Sequence, residues 1–267
     1  MRVYYTGDCH FDFDDTGTSF ANFKNQIKNI KQNDLLIIFG DIHNNRKERI
    51  KILKAIDEII KCKCVFVLGN HDFWNIPVNY SNISNIKIDF IDDVQKLKNE
   101  EFNRIIILDN EIKKINGLKI MGSSGYFILS TFEWSAYFPA EYSRMLKLLE
   151  NKALTSKLVS IELKQVCRKY FIYFSKKYKE WISLYNEHFA NVDIVITHQP
   201  TWTWMNGKEK LWKNIKYING HDHYKLDVPF TKRIRGDAYS KTSDNNYNDG
   251  QNTYYGKYKK SIKYFEI

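Results

Sequence analysis

The chain has 267 residues, a formal net charge of +10, 43% hydrophobic and 15% aromatic residues, and four cysteines. This length suits one α/β domain with an insertion, and so few, scattered cysteines exclude a disulfide-stapled scaffold. No run approaches the roughly 18 consecutive apolar residues of a membrane span, and the amino terminus lacks a signal-peptide pattern, so we expect a cytoplasmic protein without a membrane partner.

The positive charge suits anionic partners such as nucleic acid or phosphorylated ligands. The joint abundance of Lys, Asn, Ile, Tyr and Phe is equally typical of AT-rich coding, and most of the basic residues are scattered along the chain. The charge therefore permits a phosphate-bearing ligand without predicting one.

Short apolar runs alternate with helical patterns, which predicts parallel strands joined by right-handed helical crossovers. One helix is expected to have Thr18 or Ser19 as its N-terminal cap, and a second is expected to cover Lys47–Lys61. The predicted strands are Arg2–Thr6, Leu35–Phe39, Cys64–Leu68, Lys87–Ile91, Arg104–Leu108, Leu118–Gly122, Asp193–Thr197 and Ile215–Ile218, with short strands at Tyr254–Tyr258 and Ile262–Ile267.

The segment from about residue 139 to residue 190 departs from this alternation. Apolar residues from Leu163 to Phe189 recur every three or four positions, which indicates a long amphipathic helix. We predict a single domain over residues 1–267, in which this segment is a helical insertion that packs over the sheet or caps the site.

Five short polar clusters each follow a predicted strand. Asp, Asn and His are costly to bury without partners, and strands of an open α/β sheet end at one rim, where ligand sites form. Imidazole, carboxylate and amide oxygen together favour divalent cations. The clusters are Asp8-Cys9-His10, Gly40-Asp41, Gly69-Asn70-His71-Asp72, Thr197-His198 and Gly220-His221-Asp222-His223.

In order and spacing these clusters resemble the five sequence blocks of the calcineurin-like metallophosphoesterases. The resemblance implies an α/β fold, a four-layer αββα sandwich of two mixed β-sheets flanked by helices. It also implies two divalent metal ions, for which Mn, Fe and Zn suit the nitrogen and oxygen ligands best and Mg is a further candidate. The implied ligands are Asp8, His10 and His223 for one ion and Asn70, His198 and His221 for the other, with Asp41 bridging both.

The activity that the resemblance implies is hydrolysis of phosphomonoesters or phosphodiesters by in-line attack of a hydroxide held between the metal ions. His71 would stabilise charge on the transferring phosphoryl group and protonate the leaving oxygen. The adjacent Asp72 would take part by fixing the tautomer of the His71 ring.

Several other polar and aromatic residues are open to two interpretations. The family often continues Gly-Asp-x-x-Asp, whereas this chain has Asn44, which weakens a supporting contact without removing the metal site. His43 and Asn44 are candidate substrate contacts, and His43 is otherwise a solvent-facing loop residue. Trp74 and Trp202 form either a stacking wall for a nucleobase or packing between loops. Asp12 is predicted to be a solvated loop or helix-cap carboxylate, since its surroundings lack the Gly and closing Glu of a calcium loop.

The expected substrate is a phosphate ester, with nucleotides or nucleic-acid ends favoured. A nuclease acting on DNA or RNA ends is the alternative enzyme, although related repair nucleases carry a capping domain and only a short tail follows Tyr224. A protein phosphatase fits the last polar cluster less well. A non-catalytic scaffold would be expected to have lost ligands that this sequence retains. The sequence predicts neither the metal identity nor the oligomeric state.

Overall fold

The computed structural model describes residues 1–13, 17–73, 95–125, 176–188, 191–199, 216–220, 233–235 and 262–267. The chain divides into two compact units, residues 1–125 with 184–267, and residues 126–183. Within the second unit the described residues, 176–183, are helical, and this helix continues to residue 188. Most of the insertion expected over residues 139–190 lies outside the described residues.

Ten described strands belong to the first unit and form two five-stranded sheets. In chain order they are β1 (Arg2–Thr6), β2 (Leu35–Ile38), β3 (Lys63–Phe66), β4 (Ile105–Ile107), β5 (Glu111–Ile115), β6 (Leu118–Ser123), β7 (Ile194–Thr197), β8 (Lys216–Asn219), β9 (Arg233–Arg235) and β10 (Lys263–Glu266). The first sheet has the order β10-β1-β2-β3-β4 and the second β5-β6-β7-β8-β9. Each sheet is parallel except for one antiparallel edge strand, β10 in the first and β5 in the second.

The helices between the first strands are α1 (Thr18–Ile27) and α2 (Arg46–Ile59), and short 3₁₀ turns cover Phe11–Phe13 and His71–Phe73. The Asn45 side chain caps α2 by accepting from the backbone N–H of Glu48. The cap predicted at Thr18 or Ser19 is wrong, because Gly17, in the left-handed region at φ 66°, turns the chain into α1 without a side-chain cap. No described helix combines the length and apolar character that crossing a membrane requires.

The hydrophobic core lies between the two sheets. Because side chains alternate along a strand, one face of each sheet enters this core. Residues such as Val3, Leu35 and Ile37 come from the first sheet, and Ile120 and Ile194 come from the second. The alternate residues of β2 and β3 are also fully buried, as are apolar residues on the inward faces of α1 and α2: Leu36, Ile38, Phe66, Phe23, Ile27, Leu53 and Ile56. The predicted α/β sandwich of two mixed sheets with flanking helices is confirmed.

Most predicted strands match the observed ones within two residues, but β5 and β9 were not predicted. Strand β5 is an edge strand in which four of the five residues are exposed or partly exposed, so it lacks a buried apolar run. The sequence feature that indicates β5 is the Asn116-Gly117 turn after it, whose φ values of 49° and 86° are those of a tight hairpin. The strands predicted at Lys87–Ile91 and Tyr254–Tyr258 lie outside the described residues.

Candidate metal centre

The loops after β1 and β2 meet at one edge of the first sheet, because these strands are parallel neighbours. Backbone hydrogen bonds join them, from the Asp8 N–H to the Gly40 carbonyl at 2.9 Å and from the His10 N–H to the Asp41 carbonyl at 2.7 Å. Asp8, His10 and Asp41 all lie in the left-handed region, with φ of 48°, 42° and 55°. That conformation is uncommon outside glycine and clusters at functional sites.

The second sheet contributes His198, which follows β7. Its backbone N–H donates to the Ser124 carbonyl at 3.1 Å, and its own carbonyl accepts from Gly220 at 2.9 Å. The ring is fully buried, with Nδ1 2.7 Å from the Phe39 carbonyl oxygen. A carbonyl only accepts, so Nδ1 carries a proton and directs Nε2 toward the cluster, the arrangement typical of metal-binding histidines.

The Asp41 carboxylate lies at the centre of the cluster. Its Oδ2 atom is 3.3 Å from Nε2 of His198 and 3.5 Å from Nε2 of His10. Two groups of potential ligands share this carboxylate, His10 with His71 and Asp8 with His198, and within each group the ligand atoms lie within 4.8 Å of one another. A carboxylate common to two such groups is placed where a bridge between two ions would be.

Asn70 joins the cluster through His198. The Oδ1 atom of Asn70 lies 2.9 Å from Nε2 of His198, and both side chains belong to buried residues. An amide oxygen and an imidazole nitrogen at this separation are close enough to ligate a common cation.

The charges of the cluster favour a cation at its centre. Burial by itself would lower the pKa of His198, but the nearby carboxylates of Asp41 and Asp8 raise it to about 10. Burial would likewise raise the pKa of Asp41, yet His198 and His71 hold it well below its usual range. The Asp41 carboxylate thus stays ionised and is stabilised by positive charge beside it, and oxygen and nitrogen donors of this kind fit divalent ions.

The ring of His71 is oriented by Asn44. Its Nδ1 atom lies 2.6 Å from Oδ1 of Asn44, and it packs edge-on against the His10 ring with centroids 4.5 Å apart. The expectation that Asp72 fixes the His71 ring is therefore corrected, because the Nδ1 atom faces Asn44 and the Asp72 carboxylate is engaged by backbone groups.

Asp72 ties the loops after β2 and β3 together. Its Oδ2 atom accepts from the backbone N–H groups of Asp41 and Gly69 at 2.7 and 2.8 Å. Its Oδ1 atom accepts from Ile42 at 3.0 Å, and Nη1 of the buried Arg49 lies 3.9 Å from it. A buried carboxylate with these partners holds the backbone of Asp41 in place.

The candidate substrate contacts His43 and Asn44 both form hydrogen bonds with other residues of the protein. Nδ1 of His43 accepts from the Asn45 N–H at 2.8 Å, and burial together with Arg49 lowers the pKa of His43 to about 4. The Asn44 amide donates to Oδ2 of Asp12 at 2.6 Å while its oxygen faces His71. Sequence reasoning missed this link, since Asp12 and Asn44 are distant in the chain and no local pattern connects them.

Asp12 is not the solvated carboxylate that its loop predicted, because it is partly buried and bonded to Asn44. Burial raises the pKa of Asp12 to about 7.

Four predicted site residues lie outside the described residues: Trp74, Trp202, His221 and His223. The preceding Gly220 is described and packs on the cluster, since a Cβ atom at Gly220 would lie 2.5 Å from Oδ2 of Asp8.

Comparison with known proteins gives one family and a few distant relatives. The family model for calcineurin-like phosphoesterases matches residues 1–225. The uncharacterized protein L509 of Acanthamoeba polyphaga mimivirus is 30% identical over 131 residues, which cover 46% of this chain and 44% of that protein. The matched part thus spans less than half the length of this curated relative.

Two solved structures are also similar. Phosphopantetheinyl hydrolase from Mycobacterium tuberculosis has 10% sequence identity and a TM-score of 0.43, with coverage of 88% of this chain and 89% of that chain. A protein of unknown function from Aquifex aeolicus has 18% identity and a TM-score of 0.30, with coverage of 75% of this chain and 81% of that chain.

Proposed function

The chain belongs to the calcineurin-like phosphoesterase family, a family of metal-dependent hydrolases, and we propose that it hydrolyses phosphate esters with two divalent ions held on either side of Asp41. The observation that carries this proposal is the carboxylate shared by the His10–His71 and Asp8–His198 groups. Two closely spaced cations need an anionic ligand between them.

The ligands proposed for one ion are Asp8, His10 and His223, and those for the other are Asn70, His198 and His221, with Asp41 common to both. Mn, Fe and Zn suit this mixture of imidazole, carboxylate and amide better than Mg. When bound, such ions supply a nucleophile made from water near neutral pH and neutralise charge on the phosphoryl oxygens.

The remaining residues orient groups and move protons. With Nδ1 of His71 held by Asn44, Nε2 is the atom that can carry a proton to the leaving oxygen of the ester. Asp72 keeps the backbone of Asp41 in its left-handed conformation through the N–H bond at 2.7 Å. His71 is thus assigned as the general acid, and Asp72 as a residue that maintains the geometry of the centre.

The substrate class proposed is a nucleotide-like phosphomonoester or phosphodiester, which the net charge of +10 favours by attracting anions. A nuclease acting on nucleic-acid ends is the second candidate, favoured by the same charge. The two differ in salt response, because binding of a polynucleotide releases many counterions and weakens steeply with salt, whereas binding of one small ester changes little.

The test is reconstitution of metal-free protein with Mn, Fe(II), Zn or Mg, followed by assays on bis-p-nitrophenyl phosphate, p-nitrophenyl phosphate, nucleotides and single-stranded DNA. We expect two bound ions per chain and hydrolysis that a chelator abolishes. Asp41→Asn should bind neither ion tightly, while Glu58→Gln, which changes an exposed carboxylate on α2, should match the unaltered protein. A single bound ion, or hydrolysis insensitive to chelation, contradicts the proposal.

A further inference from the structure

A continuous chain of side chains runs from the first polar loop to the ring of His71. Oδ2 of Asp12 accepts from Nδ2 of Asn44 at 2.6 Å, and Oδ1 of Asn44 lies 2.6 Å from Nδ1 of His71. The Asn44 residue is buried. Both distances are slightly shorter than the usual range for N–H···O hydrogen bonds, so the three side chains are in direct contact.

The backbone holds Asp12 in register with Asn44. The Phe11 N–H donates to the Ile42 carbonyl at 3.0 Å, one step beyond the bond from His10 to Asp41. These bonds fix the short 3₁₀ turn that contains Asp12 against the loop that contains Asn44. The contact between their side chains therefore lies directly beyond two backbone hydrogen bonds that join the two loops.

The chemistry of Asp12, Asn44 and His71 determines which atom donates and which accepts in each of the two hydrogen bonds. An asparagine amide has a donor end and an acceptor end, and on its own it can present either end to a histidine. The ionised form of Asp12 accepts only, so it takes the NH₂ end of Asn44 and leaves the carbonyl oxygen for His71. The Nδ1 atom of His71 then holds a proton in both the charged and the neutral ring, so the proton that the ring takes up and gives to the leaving oxygen is the one on Nε2.

We propose that Asp12 is a positioning residue for His71, acting through Asn44 to select the ring tautomer and orientation that direct Nε2 to the leaving oxygen. This inference rests on the proposed function, in which His71 is the proton donor. An aspartate in direct contact with His71 would orient the ring by itself. Here the Asp12 carboxylate orients the Asn44 amide, and the amide in turn orients the ring.

Exchange of the two side chains tests the relay. Asp12→Asn leaves two side-chain amides in contact, either of which can flip to exchange its oxygen and nitrogen. Asn44→Asp places two carboxylates against each other. We expect each single variant to lower kcat about tenfold with little change in KM. The double variant Asp12→Asn/Asn44→Asp puts a carboxylate directly on His71 with an amide behind it, and should recover most of the lost kcat. Asn25→Asp, on the exposed face of α1, is the control for an added carboxylate.

The leaving group separates positioning from a general structural role. If Asp12 acts on the proton donor, Asp12→Asn should slow esters of poor leaving groups such as phenol about tenfold and esters of p-nitrophenol much less. Equal losses on both esters, no loss in the single variants, or a double variant as slow as the worse single variant overturns the proposal. Metal content and thermal melting of each variant establish that the centre and the fold are intact.

A second readout does not depend on turnover. Nitrogen-15 NMR of the histidine rings, with His71 assigned by its disappearance in His71→Gln, reports which ring nitrogen carries the proton. At a pH where the His71 ring is neutral, we expect the proton to be on Nδ1 in the unaltered protein and in the double variant, and a mixture of tautomers in Asp12→Asn. An unchanged His71 signal in Asp12→Asn contradicts the relay. A protein inactive toward every ester, with the expected NMR shifts, would instead refute the proposed function and leave the relay standing.

Discussion

Asp41 and His198 face each other across the junction of the two sheets, with Oδ2 of Asp41 3.3 Å from Nε2 of His198. Asp41 follows a strand of the first sheet and His198 follows a strand of the second. The pair therefore connects the proposed cation-binding groups of both halves of the sandwich, so a cation bound there would join the two sheets.

Metal binding should stabilise the fold through this pair. A ligand that binds only the native state at about 100 times its Kd adds about 2.7 kcal/mol, which corresponds to a rise in Tm of about 5–10 °C for a chain of this size. Differential scanning calorimetry of chelator-treated protein with and without Mn or Zn measures it. Asp41→Asn should melt at the same temperature in both conditions; a metal-dependent shift as large as that of the unaltered protein would refute the shared-ligand assignment.

Asp72 should matter for both stability and activity, and Asp57 for stability alone. Asp57 also accepts three backbone N–H groups, from Asn103, Arg104 and Ile105 at 2.7–3.0 Å, and it lies on α2 with no member of the metal cluster among these partners. Replacing either carboxylate by Ala leaves buried or partly buried backbone N–H groups without their acceptor, which costs about 2–4 kcal/mol.

Urea unfolding of Asp72→Ala and Asp57→Ala compares the two losses. We expect similar falls in the free energy of unfolding, but a loss of hydrolysis of at least about a hundredfold in Asp72→Ala alone, because only that variant releases the backbone of Asp41. Comparable activity in the two variants, measured where both are folded, would show that Asp72 has no particular connection to the centre.

Gly69 should be intolerant of any side chain. A Cβ atom there would lie 2.0 Å from Oδ1 of Asp41 and 2.5 Å from its backbone nitrogen, so Gly69→Ala has to displace the shared carboxylate. Steady-state kinetics and metal titration should show a loss of turnover above about a hundredfold together with weaker metal binding.

Gly117→Ala is the control for Gly69→Ala. Gly117 has φ 86° and nothing within 4 Å of a Cβ atom, so alanine there costs about 1 kcal/mol of backbone strain and should leave kcat and metal affinity unchanged. If Gly69→Ala behaved like Gly117→Ala, the close approach of the loops after β2 and β3 would not be required for function.

Cys62 should react as a weakly acidic thiol. Burial raises the pKa of Cys62 from 9.0 to about 11, so at pH 8 its thiolate fraction is about a hundredfold smaller than that of an ordinary cysteine. The ultraviolet absorbance of the thiolate, taken as the difference between the unaltered protein and Cys62→Ser, should have its pH midpoint near 11 in folded protein and near 9 in urea. A folded-state midpoint at or below pH 9 contradicts the assignment.

The same shift gives a contribution to stability with a definite sign. The folded state keeps the Cys62 proton to higher pH than the unfolded state, so this contribution is constant below pH 9 and is lost as the pH rises from 9 toward 11. Cys62→Ser should flatten the fall in unfolding free energy over that interval.

The sequence was most informative where burial and parallel pairing impose a strict pattern. The apolar runs of β1, β2 and β7 predicted their strands closely, and the polar residues after them come together in the structure as two groups of potential metal ligands. Edge strands were harder, since β5 is mostly partly exposed and β9 is the short basic run Arg233-Ile234-Arg235. Their pairing is set by neighbouring strands, and the patterns within each segment are weak.

Side-chain partners within the site were harder still. Adjacency suggested Asp72 as the partner of His71, whereas the structure gives that contact to Asn44 and adds Asp12 behind it. Spacing along the chain predicts which loops meet, because parallel strands end at one edge. Which atoms face each other depends on left-handed backbone conformations at residues such as Asp8 and Asp41, and no feature of the local sequence specifies these.

Because the proposed metal centre lies at the junction of the two sheets, metal binding should require the sheets to keep their relative position. The proposed ligands Asp8, Asp41 and Asn70 follow strands of one sheet and the proposed ligand His198 follows a strand of the other. A slip of one residue along a strand is about 3.3 Å. That displacement is as large as the present gap between Asp41 and His198. A partly loosened sandwich that keeps all its strands would thus release its ions first, and metal loss would precede the loss of secondary structure during gradual denaturation.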